Sequence, residues 1–588
     1  MSSPSPQPQP LRHPPPAPMS DANNPFLRRV PRDEEGKFHV PLMDDPDNPN
    51  YAQYQHDVPH LSHTPQQPHQ HHIHRIPVPH DGPDPQAPPH HRHRRGRHSP
   101  LMDDGGVPDE VLDNYDSYSI VSKSDAGFDD NGGGGGGGGG GGVSDAVFGT
   151  VEAGKGPNYR NVGWIGSTVL MTKGSVGIGV LSLPLVLHTL GFIPGIIIIV
   201  FVMILCTWCA WVLGQFKLLH PEVYAVPDVG TVMWGPIGRE CLAICFFLFM
   251  IMTAAGGIVS LSVSLNAVSL HATCTAVFVA VAAVCGFLTG SIRTLGEISW
   301  LGWIGCISIV ASILTLTVAV GIEDRPADAP NEGPWDRNIK LINNPSFSDA
   351  MNAVSSVVFA CGALPAYFGI ISEMREPRQF TRSLLVSQIF VTLLYTSIAA
   401  AVYAMVGQYV SNPALGTAGR VMKRVCYGIA IPGLLVTLCM YTHLPAKYVF
   451  VRLLRGTKHL TSNSFTHWFT WLACTLTCTI IAYVVASAIP DFGALVQFVG
   501  ALFSPIMTFI PFACMWWYDC WRGKDPATRS LWTKLHGSWA LFVFVIAIYC
   551  TVAGTYAAVI DLINADEHSS PWSCADNSRT RMPNGTLY

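Results

Sequence analysis

The sequence predicts an all-α polytopic membrane protein with eleven transmembrane helices. Hydrophobic residues make up 48% of the chain and charged residues only 13%, about half the usual charged share of a soluble domain. The charges are also unevenly placed. Between Gly163 and Ile563 the apolar stretches run to roughly 20 residues almost without charge, which is the length a helix needs to cross the hydrocarbon. Eleven such stretches fall at 163–188, 191–214, 240–265, 273–290, 298–320, 350–373, 384–406, 425–446, 468–488, 492–513 and 537–563. The loops between them give the orientation. With the N-terminus cytoplasmic, sixteen lysines and arginines lie on the inner side against eight on the outer, as the positive-inside bias requires. Arg420, Lys423 and Arg424 run against that bias.

Three regions follow. Residues 1–150 form a polar cytoplasmic tail, 151–565 the membrane body, and 566–588 a short tail on the outer or lumenal side. The first tail is rich in proline and histidine and ends in eleven consecutive glycines, Gly132–Gly142. It has too little apolar side chain to offset its ordering entropy and is expected to be disordered. Fourteen of the 22 histidines lie in it. Their irregular spacing gives no fold that would orient metal ligands, so no metal site is assigned. Met1 is followed by SSPSPQPQPLRHPPP, which lacks an apolar h-region, so the first span is expected to target the chain. The net charge of -4 averages a polar tail with an apolar body and points to no charged partner; nothing points to nucleic acid. Most cysteines fall inside spans, where burial accounts for them. Cys274 and Cys574 both come out on the non-cytoplasmic side, where a disulfide between them is open. An Asn-Gly-Thr sequon at Asn584 fits the same side.

The first span is interrupted. Lys173, Gly174, Ser175, Val176, Gly177, Ile178 and Gly179 lie midway along it, with Pro184 beyond. Each glycine weakens a helix by about 1 kcal/mol relative to alanine, and three at this spacing do not share a face. Five spans later Phe359, Ala360, Cys361 and Gly362 precede Pro365 near the middle of the sixth. Broken helices at matching places in two five-span halves are the sequence mark of an inverted-repeat transporter, with its substrate between the unwound segments. Unwinding frees backbone groups that lipid would punish, so they must face a cavity or ligand. Freed N–H groups suit a carboxylate and freed carbonyls an ammonium. A site with both is shaped for an α-amino acid. Small residues in spanning helices also serve plain helix packing, and that reading stays open for either break alone.

Lys173 stands directly before the first break. A charge inside a span is costly and marks a functional candidate. Two readings are open: an ammonium among the freed carbonyls whose proton occupancy couples transport to pH, or a side chain snorkelling to the cytoplasmic face. Thr442 and His443 of the eighth span are expected to face the first break. Ser260 and Ser264 either line a cavity or bond back to their own helix. Glu373 and Arg375, with Glu376 and Arg378, form a charged cluster at the inner end of the sixth span, either a gate of ion pairs or a solvated loop.

The run KGSVGIGVLSLPLVLHTLG resembles the first-span signature of the amino acid/auxin permease family. NYRNVGWIGSTVLMTK, ALPAYFGIISEMREPRQF and HLPAKYVFVRLLRG are similar to its fungal neutral amino acid permease branch. Over about residues 147–563 the resemblance implies a LeuT-like fold of two inverted five-helix repeats plus an eleventh helix. It also implies an amino acid transporter transmembrane domain that takes up neutral amino acids by proton symport. Ser175 to Gly179 would receive the substrate carboxylate, with Gly174 beside them in the substrate site, while Phe359 to Gly362 would contribute backbone to its amine and walls to its side chain. Lys173, with Thr442 opposite, would stand where sodium-coupled relatives hold a cation. Glu373 and Arg375 would gate the inner side. The expected partners are an amino acid, protons and the bilayer, with no cofactor and no enzymatic activity. The plasma membrane is favoured over the vacuole. A vacuolar or lysosomal carrier, and a receptor of the same fold that binds without transport, remain as alternatives.

Overall fold

The computed structural model describes residues 143–145, 149–151, 162–292, 295–330, 332–455, 457, 459–460, 464–522, 530–563 and 571–578. Residues 1–142, with the histidines and the glycine run, and Asn584 lie outside them. A short element lies at the boundary of the N-terminal tail. Val143–Asp145 and Gly149–Val151 form an antiparallel pair, β1 and β2, with Val143 opposite Val151. Valine and threonine at these positions favour the extended backbone that the tail's overall composition argues against.

The remaining elements are helices. The first apolar stretch gives α1 (Trp164–Ser175) and α2 (Leu183–Leu190), joined through a 3-10 turn at Gly179–Ser182. Then come α3 (Phe192–Leu219), α4 (Val226–Ser269), α5 (Thr275–Gly290) and α6 (Leu295–Ile322). The sixth stretch is divided into α7 (Phe347–Ala360) and α8 (Tyr367–Ser372). After it run α9 (Phe380–Val406), α10 (Arg420–Leu454) and α11 (Phe465–Ala488). The tenth stretch holds α12 (Phe492–Leu502), α13 (Ser504–Thr508) and α14 (Ile510–Trp516), and α15 (Leu531–Ile563) closes the series. Helix thus occupies each of the eleven apolar stretches. Among the described residues nine helices are long and apolar enough to cross a membrane, ten if the bent pair at Leu502 and Ser504 counts as one span. α5, with 16 residues, falls short of that length.

Local sequence explains where the helices begin. Ser346 caps α7 by accepting from Asp349 N–H at 3.2 Å, and Asp491 caps α12 by accepting from Ala494 N–H at 2.8 Å. Gly191, with φ +96°, turns the chain between α2 and α3, where a Cβ would lie 2.6 Å from the Asn343 amide nitrogen. α4 bends at Gly235, just before Pro236.

Two sets of helices stand out in the packing. α4, α5, α10 and α11 all touch one another; in the second set α9 packs on α1, α2 and α3, and α7 packs on α2 and α3. Glycines let the first set approach closely: Gly257 of α4 and Gly286 of α5 both rest on Leu438 of α10. Exposed Ile197, Ile204, Val284, Ile307, Leu393 and Val552 give the body an apolar outer surface, as lipid contact demands.

Cys274, before α5, is joined to Cys574 by a disulfide. The segment around Cys574 is seated on the first set. Asn577 accepts from Asn266 Nδ2 at 2.7 Å and donates to Ser262 Oγ at 2.9 Å, and Lys423 donates to the Ser578 carbonyl at 2.7 Å.

At the end of α3, His220 Nε2 lies 3.0 Å from Asp519 Oδ1 and Nδ1 lies 3.7 Å from Glu222. Burial alone would lower the imidazole pKa, but the bonds to Asp519 and Glu222 outweigh it and raise it to about 9. A raised folded-state pKa stabilises fully below the usual 6.5 and stops doing so as pH rises through about 9. His220→Gln is therefore expected to flatten the fall in melting temperature between those two pH values, measured by thermal denaturation in detergent.

Candidate functional site

The two breaks meet. α1 stops at Ser175 and the backbone leaves helical geometry at Val176 (φ -77°, ψ 79°) before the turn at Gly179. α7 stops at Ala360, and Cys361 to Ala363 form a turn before Leu364–Ala366. A Cβ on Gly179 would lie 2.7 Å from Ala360 Cβ, and one on Gly174 would lie 3.3 Å from Ala363 Cβ. Glycine at 179 is what lets the unwound segments touch.

Freed carbonyls are bound by tyrosines from two other helices, and a third tyrosine meets the Ser175 hydroxyl. Tyr395 of α9, fully buried, places its hydroxyl 2.6 Å from the Ser175 carbonyl and 2.9 Å from the Ala360 carbonyl. One proton shared between these oxygens ties the C-terminal ends of both half-helices together. Tyr441 of α10 donates to the Gly174 carbonyl at 3.4 Å, and the Tyr367 hydroxyl of α8 lies 3.2 Å from Ser175 Oγ.

Between the breaks lies a narrow cleft lined by Gly174, Ser175, Ile178, Gly179, Phe359, Ala360 and Gly362, with Phe249 and Thr253 of α4 and Tyr441 of α10. The volume open to a water's centre is about 10 Å³, room for one water, so a larger molecule enters only if the walls move. Backbone from both breaks, three aromatic rings and one isoleucine suit a small polar head on an apolar or weakly polar side chain.

Lys173 occupies a second position beside the first break. It is fully buried, and its ammonium donates to the Val176 carbonyl at 3.2 Å and to Thr437 Oγ1 of α10. Its stem runs against α6 where Gly305 leaves room: a Cβ there would lie 2.8 Å from Lys173 Cε. The side chain therefore points into the packed interior and does not snorkel to a membrane face.

The sequence of the chain agrees with this architecture. The sequence model of the family described as "Transmembrane amino acid transporter protein" matches residues 160–560. The chain belongs to that family. It is 36% identical to a "Transmembrane transporter" of Gibberella moniliformis over 72% of this chain and 89% of that protein. It is 31% identical to the "N amino acid transport system protein" of Neurospora crassa over 71% of this chain and 89% of that protein. An Arabidopsis thaliana relative, "Amino acid transporter AVT1B", is 24% identical over 66% of this chain and 69% of its own length.

Within this family member the structure brings together seven of the ten residues expected around a substrate and moves three elsewhere. Val176 is fully buried with its carbonyl turned to Lys173. Gly177 faces α10, since a Cβ there would lie 3.3 Å from Thr437. Cys361 points its thiol at Met203 Sδ of α3, 3.3 Å away. Thr442 is a further correction. It packs on Gly290 of α5, away from the first break, and His443 meets Trp471 edge-on at 5.2 Å. Thr437 and Tyr441 form the face of α10 turned to the break, and at 100° per residue neighbouring Thr442 is rotated off it. Ser260 and Ser264 bond back to the Gly256 and Ser260 carbonyls at 2.7 and 2.9 Å.

At the C-terminal end of the sixth stretch Glu373 meets a cation not singled out from the sequence. Its Oε1 lies 2.6 Å from Lys447 Nζ of α10, and both side chains are buried. Arg375 is exposed. Its backbone N–H and the Glu373 carbonyl pair with Val162 at 2.9 and 3.1 Å, stapling the entry of α1 to the end of α8. Removing one partner of a buried ion pair typically costs about 3–5 kcal/mol, whereas replacing both by apolar groups costs far less. Glu373→Met and Lys447→Met are each expected to lower thermal stability by about that amount. The double variant is expected to recover most of the loss, as a double-mutant cycle followed by thermal denaturation would show.

Proposed function

We propose that this chain is a secondary active transporter that carries neutral amino acids with protons by alternating access. The observation that carries the reading is the meeting of two unwound helices, whose backbones line one cleft, beside a lysine buried between the first break and Thr437. N–H groups at the start of the Gly179 turn would receive the carboxylate and the carbonyls of Ser175 and Ala360 the ammonium. Lys173, releasing and taking up a proton, would loosen and restore the tie between the first break and α10. The Neurospora relative's name, an amino acid transport system protein, and the Arabidopsis relative's, an amino acid transporter, support the substrate class.

We read α5 as one further crossing, which gives eleven spans and two five-span inverted repeats with α15 added. Its support is the interleaving of the halves, since each packed set draws members from both. The oxidised pair Cys274 and Cys574 suits a non-cytoplasmic face, which supports a cytoplasmic N-terminus. Glu373 and Lys447 then stand at the inner exit as gate, and residence is read as the plasma membrane, to be checked by fluorescence of a tagged chain at the cell edge.

The deciding experiment is uptake of labelled amino acids into proteoliposomes under an imposed pH gradient and, separately, a sodium gradient. Neutral amino acid accumulation under the pH gradient alone is the expected result. Accumulation only with sodium would overturn the proton coupling, and binding without accumulation would replace transport by sensing.

A further inference from the structure

The tenth apolar stretch is also broken: the direction changes by 48° between Leu502 and Ser504. Hydroxyls in this chain's apolar helices are generally satisfied one turn back, as those of Thr253, Thr475 and Thr479 are. Ser504 sits at the break, where that turn is interrupted. It is fully buried, and its Oγ has no hydrogen-bond partner among the described residues. A buried hydroxyl left this way is destabilising unless something else claims it.

Its surroundings show what could. A Cβ on Gly362 would lie 3.4 Å from Ser504 Oγ and 3.2 Å from Phe249 Cζ, and Gly362 and Phe249 both line the cleft between the first and sixth breaks. The hydroxyl thus stands directly behind Gly362, with no side chain between it and that part of the cleft wall. The carbonyls of Ser175 and Ala360, bridged by Tyr395, belong to the other side of the break, where an ammonium would sit.

We propose that Ser504 determines specificity by hydrogen-bonding the hydroxyl or carboxamide of the substrate's side chain. The inference rests on the amino acid site described above and narrows its substrate class to neutral amino acids with a polar side-chain tip. The apolar walls take the methylenes, and Ser504 takes the tip. An aliphatic side chain of equal shape leaves the hydroxyl unpaired, and a site built around a hydrogen bond rejects the analogue that lacks it.

Threonine and valine have nearly the same shape and differ in one hydroxyl. Their binding would be compared by competition against labelled threonine on the purified full-length protein, with uptake followed separately in proteoliposomes. The unsubstituted protein is expected to favour threonine by roughly tenfold or more. Ser504→Ala is expected to bring the two within about twofold by weakening threonine alone, and Ser504→Cys, a weak donor of similar size, to fall between. Equal binding of threonine and valine by the unsubstituted protein would overturn the proposal, as would an equal loss of both in Ser504→Ala. A threonine preference that Ser504→Ala abolishes, in protein that accumulates neither amino acid, would support the Ser504 role while overturning transport.

Discussion

Lys173→Met is expected to abolish pH-driven accumulation while leaving exchange of substrate across the membrane intact. Methionine keeps most of the stem that fills the space beside Gly305, so packing changes little. What disappears is the ammonium, with its bonds to the Val176 carbonyl and Thr437 Oγ1. A charge buried here is held by a carbonyl that unwinding has freed and by the Thr437 hydroxyl. In the proposed coupling the first break then loses its titratable tie to α10, and a proton gradient has nothing to act on. Accumulation under a pH gradient should fall at least tenfold. Counterflow, in which labelled substrate exchanges with unlabelled at equal pH, should stay within about twofold. Thr437→Val, which removes only the hydroxyl, should weaken the pH dependence without eliminating it. Uptake by Lys173→Met that still follows the pH gradient would remove the lysine from the coupling step.

Much of this was legible in the sequence because lipid imposes simple rules. Length and hydropathy mark helices over each of the eleven stretches, and Gly and Pro in mid-span mark both breaks, because little else interrupts a helix where water cannot compensate. Lys173 was legible for the same reason, a charge being expensive there. What could not be read is the rotation of helices remote in sequence. Thr437 and Thr442 are both threonines near the middle of one amphipathic-neutral helix, and only packing against Gly305 and Ile309 on one side and Gly290 on the other decides which meets Lys173. Lys447 likewise sits four residues past His443 with no local sign that Glu373, 74 residues earlier, is its partner. Tyr395 left a weak signal, since a tyrosine inside a span must find an acceptor for its hydroxyl, but the carbonyls it found belong to the two breaks. Ser504 left none until the bend at Leu502 was seen.

Gly179→Ala is expected to abolish binding and uptake although it adds a single methyl group. In most spans a glycine-to-alanine change strengthens the helix by about 1 kcal/mol, and on propensity alone this one should be benign. The contact decides otherwise. The added Cβ would lie 2.7 Å from Ala360 Cβ and 3.1 Å from the Ala360 amide nitrogen. These are backbone and near-backbone atoms, with no flexible side chain to swing aside, so the breaks must separate by several tenths of an ångström. That displacement pulls the Ala360 carbonyl off the Tyr395 hydroxyl and opens the wall that Gly179 and Ala360 share. Overpacking of this kind costs about 1–3 kcal/mol in ordinary cores, and here the loss falls on the two segments that form the cleft. Binding of labelled amino acid should therefore drop at least tenfold with the protein still inserted and helical by circular dichroism. Gly163→Ala is the control. It lies just before α1 with nothing within 4 Å of its Cβ position, and its uptake should match that of the unsubstituted chain. Should Gly179→Ala bind and transport normally, the close approach of the two breaks would not be what shapes the site.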